Sequence, residues 1–286
     1  MNTKKATNRT NTSAEGLTSM PTTIQLEAGQ KVYFASDFHL GIDGKLPARE
    51  REVQIVRWLD SIRQDAGAIF LLGDLFEFWF EYKRAIPRGF VRFLGKLAEI
   101  RDAGIPIYVF TGNHDMWLFD YFPQELNIPI IRHPIEVQIN QKRFFLGHGD
   151  GLGPGDYGYK TIKRIFANPL CQWLFARLHP NFGIGMAWFW SHQSRAAQNH
   201  EEVFFGPEKE WLILYAERKI KTLTADYFIF GHRHLPIDYT LSNQKTRYLN
   251  LGEWMNFNSY AVFDGEELQL HFFENAGSTI YGSSSI

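Results

Sequence analysis

The chain has 286 residues, 44% of them hydrophobic and 16% aromatic, enough to bury a large core in one domain or in one domain carrying an insertion. Its net charge of -1 excludes a bulk electrostatic field that would draw it to nucleic acid. A single cysteine, Cys171, excludes an intrachain disulfide framework, and no uninterrupted apolar run approaches the ~20 residues of a membrane span.

In chain order, the first ~24 residues are mostly Thr, Asn, Ser and Lys. They lack the apolar stretch of a secretory signal and read as the body of a disordered tail covering 1–28. Residues 31–36 read as a strand running into Asp37-Phe38-His39. Over 47–65, Val53, Val56, Trp58, Leu59 and Ile62 recur at near-helical spacing with charges between them. A second buried strand, 68–72, ends at Gly73-Asp74, and 90–103 is an amphipathic helix closed by Gly104. A third apolar strand, 105–110, tolerates Pro106 only near its start and delivers Gly112-Asn113-His114-Asp115. Strands alternating with helices predict an α/β domain.

After Pro129 the rhythm changes. Residues 136–139 and 143–146, joined by Asn140-Gln141-Lys142, read as a hairpin ending at Gly147-His148-Gly149-Asp150. Strands at 227–230, 247–251, 260–263 and 268–273, with turns at Ser242-Asn243 and Asp264-Gly265, make the second half mostly antiparallel. Residues 154–222 interrupt it. They read as helical and are rich in Trp, Phe, Leu and Ile, and Lys160, Lys163 and Arg164 share one helix face. The expected organisation is a core at 29–153 and 223–276, a helical insertion at 154–222 and a flexible tail at 277–286.

Taken alone, Gly-Asn-His-Asp also suits a turn followed by a helix cap. Four other clusters change that weighting. Asp37 with His39, Asp74, Asn113 with His114, His148, and His232 with His234 each follow an apolar strand, at the edge where open α/β sheets bind ligands. Core packing does not explain five such clusters in one chain. Two aspartates, several imidazoles and one amide suit manganese, iron or zinc rather than calcium. Asp74, alone in its cluster, is the natural bridging carboxylate. Two ions roughly 3.5–4 Å apart can hold a hydroxide and clamp a phosphoryl group for in-line attack.

Asp-x-His, Gly-Asp-x-x-Glu, Gly-Asn-His-Asp, His and Gly-His-x-His, running in this order from Asp37 to His234, resemble the calcineurin-like metallophosphoesterases. The resemblance implies a four-layer α/β/β/α sandwich with a binuclear centre. One ion would take Asp37, His39, Asp74 and His234, and the other Asp74, Asn113, His148 and His232. Manganese is the expected metal, with iron or zinc as alternatives. His114, with Asp115 behind it, would contact the phosphate or protonate the leaving group, and Asn113 and His232 would also face substrate.

Within that superfamily, Ser36-Asp37-Phe38-His39-Leu40-Gly41 and Gly73-Asp74-Leu75-Phe76-Glu77-Phe78-Trp79-Phe80 are similar to the UDP-2,3-diacylglucosamine pyrophosphohydrolases of lipid A synthesis. His148-Gly149-Asp150, the following Asp156 and the helical insertion, a cap over the lipid in that family, fit as well. The best-known members carry Arg where this chain has His114. The resemblance implies cleavage of UDP-2,3-diacylglucosamine to UMP and 2,3-diacylglucosamine 1-phosphate by a cytoplasmic protein, peripheral on the inner membrane of a Gram-negative bacterium. Asp156, Lys160, Lys163, Arg164, Ser194, Arg195 and Gln198 are the insertion's candidates for substrate contact.

Two other readings compete. A phosphoesterase for another nucleotide, diphosphate or phosphoprotein would not need an apolar, Trp-rich lid. A catalytically dead binding scaffold is opposed by competent side chains at all seven ligand positions. The insertion's aromatics either line an acyl groove or form a small core of their own. Its basic face is either solvated or meets anionic lipid headgroups. His133, His179, His192, His200 and His271 receive no metal role, and Cys171 reads as a small buried hydrophobe.

Overall fold

A computed structural model of the chain describes residues 22–153, 157–197, 203–275 and 279–282. The first half runs β1 (Thr23–Ile24), β2 (Lys31–Ala35), α1 (Ala48–Ile62), β3 (Ala66–Leu71), α2 (Val91–Asp102), β4 (Ile107–Phe110), α3 (Tyr121–Leu126), β5 (Ile130–Ile131), β6 (Ile135–Ile139) and β7 (Lys142–Leu146). Four helices follow: α4 (Tyr157–Phe166), α5 (Pro169–Phe175), α6 (Pro180–Ala197) and α7 (Trp211–Lys219). The chain ends in β8 (Tyr227–Phe230), β9 (Pro236–Thr240), β10 (Arg247–Leu251), β11 (Ser259–Phe263) and β12 (Leu268–Phe272).

Side chains alternate across each strand, and that alternation builds the layers. Val32 and Phe34 of β2, with Ala68 and Phe70 of β3, point one way. They meet Phe144, Leu146, Tyr227, Ile229, Leu249 and Leu251 from the facing sheet. Tyr33, Ala35, Ile69 and Leu71 point the other way, against Ile55, Trp58 and Leu59 of α1 and Phe93 and Leu97 of α2. One six-stranded sheet is ordered β12-β11-β2-β3-β4-β5 and the other β1-β6-β7-β8-β10-β9. Helix α7 closes the outer side of the second sheet, where Leu212, Ile213 and Ala216 pack on Phe145, Phe228, Phe230 and Tyr248. The architecture is therefore four layers, helices, sheet, sheet, helix.

Several details depart from the sequence reading. Helix α7 falls inside 154–222, yet its apolar face belongs to the core, so α4 to α6 make up the projecting part of the insertion. Within the stretch assigned to the N-terminal tail, Thr23–Ile24 pairs in parallel with β6. Within the C-terminal tail, the Tyr281 amide donates to Pro236 O at 2.9 Å and Asp238 N donates to Tyr281 O at 2.9 Å. The second half is mostly antiparallel, as expected, but β7 with β8 and β8 with β10 are parallel pairs. On α1 the polar residues Arg51, Glu52 and Gln54 are buried, while Val53 and Val56 are only half-buried.

The projecting helices rest on an apolar seam. Phe166, Phe175, Ile184 and Ala187 pack against Phe78, Phe80 and Trp117 of the core. Asn168 caps α5, its Oδ1 accepting from Leu170 N at 2.8 Å with Pro169 in the first turn. Cys171, on this helix, is half-buried.

Candidate metal centre

Strands β2, β3 and β4 are parallel neighbours, so the chain leaves all three at one edge of the sheet, carrying Asp37, Asp74 and Asn113. Parallel β7 and β8 do the same in the facing sheet with His148, His232 and His234. Two cross-sheet hydrogen bonds draw these edges together. His148 Nδ1 donates to Leu72 O at 2.7 Å, and the His232 amide donates to both Asp37 oxygens at 3.1 and 3.2 Å. The result is two adjoining nests. Asp37, His39, Asp74 and His234 offer ligand atoms within 4.8 Å of one another, and Asp74, His148 and His232 do the same. Asp74 belongs to both. Asn113 Oδ1 joins the second at 3.3 Å from His148 Nε2.

The backbone is strained where it delivers these groups. Asp37, His39, Asp74, His232 and His234 have φ of 55°, 44°, 52°, 68° and 54°. Non-glycine residues rarely occupy this left-handed region, at a cost of about 1–3 kcal/mol each. Two glycines make room for the carboxylates. A Cβ on Gly112 would lie 2.2 Å from Asp74 Oδ1, and one on Gly231 would lie 2.4 Å from Asp37 Oδ2.

Accounting for the protons tests whether a cation fits. His148 uses its Nδ1 proton on Leu72 O, so the neutral ring turns a lone pair on Nε2 towards Asp74 Oδ2 at 3.2 Å and Asn113 Oδ1 at 3.3 Å. While that ring is neutral, the buried Asp74 Oδ2 accepts no hydrogen bond among the described residues. His39 donates from Nδ1 to Glu77 Oε2 at 3.0 Å, which leaves its Nε2 lone pair 3.1 Å from Nε2 of His234. Buried acceptors facing acceptors cost about 1–3 kcal/mol each, and more when charged. A divalent cation relieves both sets at once, and the nitrogen and oxygen donors suit it.

The electrostatics lean the same way. Burial pushes the Asp74 carboxyl up, but the imidazoles of His148, His114 and His39 hold it well below the usual range. Burial also raises Asp37, and His234 and His148 bring it below its ordinary value. Burial lowers His148, yet the Asp74 and Asp37 carboxylates more than reverse this and take it up to about 10, so without a cation a second proton on Nε2 fills the same role against Asp74, and a cation would displace it. His232, desolvated and facing His148, is pushed down to about 4. The field attracts one positive charge beside Asp74 and repels a second proton from His232.

A family model described as calcineurin-like phosphoesterase matches residues 30–236, a span that contains every one of these groups. The chain belongs to the calcineurin-like phosphoesterase family. Its four-layer sandwich is the fold expected of that family. A protein of Porphyromonas gingivalis named UDP-2,3-diacylglucosamine hydrolase is 41% identical over 86% of this chain and 98% of its own. Proteins of the same name from Aeromonas salmonicida and Ectopseudomonas mendocina are each 29% identical, over 83% and 82% of this chain and 91% and 95% of theirs. Among solved structures, an Escherichia coli phosphoesterase aligns over 87% of this chain and 96% of its own, with 18% identity and a TM-score of 0.44.

As a calcineurin-like phosphoesterase, the chain is a hydrolase and its chemistry is metal-dependent. His114 lies at the rim of the nests, its side chain 23% exposed. Its Nδ1 donates to Glu77 O at 3.0 Å, with the Glu77 carboxylate 3.7 Å away. Asp115 does not stand behind it, as the sequence reading expected. Its two oxygens accept from Gly112 N and Leu75 N, both at 2.7 Å, and so tie the loop after β4 to the loop after β3. Burial and the Asp74 charge push this carboxyl up to about 7. Glu77 closes the Gly-Asp-x-x-Glu motif, and nothing in the sequence alone gives it a role. Only the fold brings it to His39 and His114.

The insertion's candidates divide. Lys160 and Lys163, with Arg132 and His133, line a pocket of about 210 Å³ beside His148. Lys160 Nζ donates to Gly153 O at 2.7 Å, and Lys163 pairs with Asp150. Arg164 is exposed on α4. Asp156 and Gln198 lie outside the described residues, as do the side chains of Ser194 and Arg195 on α6. No helix among the described residues is long and apolar enough to cross a membrane.

Proposed function

We propose that this chain hydrolyses the diphosphate of UDP-2,3-diacylglucosamine, releasing UMP and 2,3-diacylglucosamine 1-phosphate. The observation that carries the reading is the neighbourhood of the nests. Cation-seeking acceptors stand beside helices that turn large apolar side chains to solvent, so phosphoester chemistry adjoins a surface suited to acyl chains. The relative named UDP-2,3-diacylglucosamine hydrolase, similar over 98% of its length, supports this choice of substrate.

We assign one divalent cation to Asp37, His39, Asp74 and His234 and a second to Asp74, Asn113, His148 and His232. Manganese suits this donor set, as do iron and zinc. Bound there, such a pair supplies charge neutralisation at the diphosphate and a water of lowered pKa. The chain's own residues do the rest. Glu77 fixes the tautomer of His39 through a 3.0 Å hydrogen bond and orients His114 through its carbonyl. With Nδ1 so held, His114 presents Nε2 to the phosphate or to the departing oxygen. Asn113, His232, Lys160, Lys163 and Arg164 complete the proposed substrate contacts, the two lysines through the pocket beside His148.

Leu170, Trp173 and Leu174 fall at i, i+3 and i+4 on α5 and are each more than half exposed, as are Phe182 and Phe189 on α6. Together they support a protein that lies on the cytoplasmic face of the inner membrane, where an acylated sugar nucleotide resides.

The test is to incubate manganese-loaded protein with UDP-2,3-diacylglucosamine and measure UMP. The expected result is UMP release that EDTA stops and Mn2+ restores. Turnover of bis(p-nitrophenyl) phosphate without UMP release would keep the phosphoesterase and reject the substrate. Turnover of neither would reject the metal assignment.

A further inference from the structure

A guanidinium sits in the apolar stripe of α1. Residues 51, 55, 58, 59 and 62 of this helix share one buried face, and four of the five are Ile, Trp or Leu. The fifth, Arg51, is 1% exposed. A charge is costly in such a place unless it satisfies groups that need it. Arg51 meets that condition at the loop after β2. Its Nε donates to Phe38 O at 3.1 Å, and one terminal nitrogen donates to His39 O at 2.7 Å and also to Ile42 O.

These carbonyls belong to a segment whose backbone has almost no access to water, since Asp37, Phe38, His39 and Leu40 are all 0% exposed. Every backbone group there needs a partner. Asp37 O accepts from Trp254 N, and Leu40 O accepts from Glu77 N. Phe38, His39 and Ile42 receive theirs from Arg51. The same segment holds Asp37 and His39 at φ of 55° and 44°. Without the guanidinium, three buried carbonyls would lose a donor, and the loop would have reason to relax out of its strained conformation.

We propose that Arg51 is a positioning residue for the metal centre, holding the loop that presents Asp37 and His39 by bonding the carbonyls of Phe38, His39 and Ile42. The inference rests on the assignment of Asp37 and His39 as ligands.

The primary variant is Arg51→Lys, which keeps the charge but replaces the three-carbonyl fork with a single ammonium. Arg51→Met removes the donor altogether. Glu52→Gln is the control: Glu52 is the buried neighbour on α1, and its Oε1 accepts from Arg92 N and Phe93 N, away from the nests. Mn2+ binding is measured by calorimetry, the spin coupling of a manganese pair by electron paramagnetic resonance, and folding by circular dichroism and Tm. Both Arg51 variants are expected to bind Mn2+ about 10- to 100-fold more weakly at one site and to lose the coupled-pair signal. Arg51→Lys should be the milder of the two. Glu52→Gln should lower Tm with its Mn2+ affinity and coupled signal unchanged. The proposal is overturned if Arg51→Lys binds and couples Mn2+ like the natural chain. It is equally overturned if the three variants lose affinity only in proportion to lost Tm. If the natural chain itself binds no Mn2+, the underlying ligand assignment has failed instead.

Discussion

Asp74 carries more of the site than any other side chain. It contributes to both nests, its Oδ1 accepts the His114 amide at 2.8 Å, and its Oδ2 is buried without a donor among the described residues. If one carboxylate serves two ions, as proposed, it cannot be removed by halves. Asp74→Ala should therefore abolish turnover, by more than about 10³-fold given the usual weight of metal-centred steps, and should lower bound manganese. Normal metal content with full activity would end the shared-ligand assignment. The convergence of these side chains was legible at the level of residues, because each candidate ligand follows an apolar run at a strand end. Glu77 and Arg51 were not legible. Glu77 reaches His39 across 38 positions, and Arg51 reaches the carbonyls of Phe38 and His39 from a helix whose charges look like a solvent face. Asp115 misled because it adjoins His114 in sequence while its carboxylate points at backbone amides.

Among the elements, the long apolar strands and the amphipathic helices α1 and α2 were readable from period alone. Strand β9 was not. It begins with Pro236, is polar at Asp238 and Thr240, and holds its place as a sheet edge where proline is tolerated. Strands β1 and β5 span two residues each, too short for any period to register. The insertion needed its neighbours to be understood. Period gives its helices, but not that Phe166 and Phe175 turn inward while Leu170, Trp173 and Leu174 turn out. This division predicts the behaviour of a surface variant. Trp173→Ser combined with Leu174→Ser removes exposed apolar area and leaves the seam intact, so Tm should stay within about 2 °C of the natural value. Binding to anionic lipid vesicles and activity on vesicle-borne UDP-2,3-diacylglucosamine should fall several-fold, with hydrolysis of a soluble chromogenic phosphodiester unchanged. Equal loss on both substrates would mean that these side chains support the fold rather than the lipid.

At the scale of the whole molecule, the two sheets pack face to face and are also tied through the loops of the nests, so occupancy and global stability are linked. A cation that binds the folded chain and not the unfolded one adds about 2.7 kcal/mol when its concentration is a hundred times its dissociation constant. Manganese should therefore raise Tm in a concentration-dependent way, Asp74→Ala should blunt the rise, and a flat titration would separate the nests from metal binding altogether. The apolar seam under α4 to α6 has a consequence for evolution and for engineering. Phe78 and Phe80 lie on the chain leaving Asp74, and Trp117 lies on the chain leaving Asn113. The insertion is thus seated on the same stretches that emerge from two loops of the nests. A chimera that borrows residues 154–222 from a relative, but keeps the native 75–82 and 116–119, would set a foreign underside on an ill-matched seat. These three segments should travel as a set, and substitutions along their contact should arise in compensating pairs.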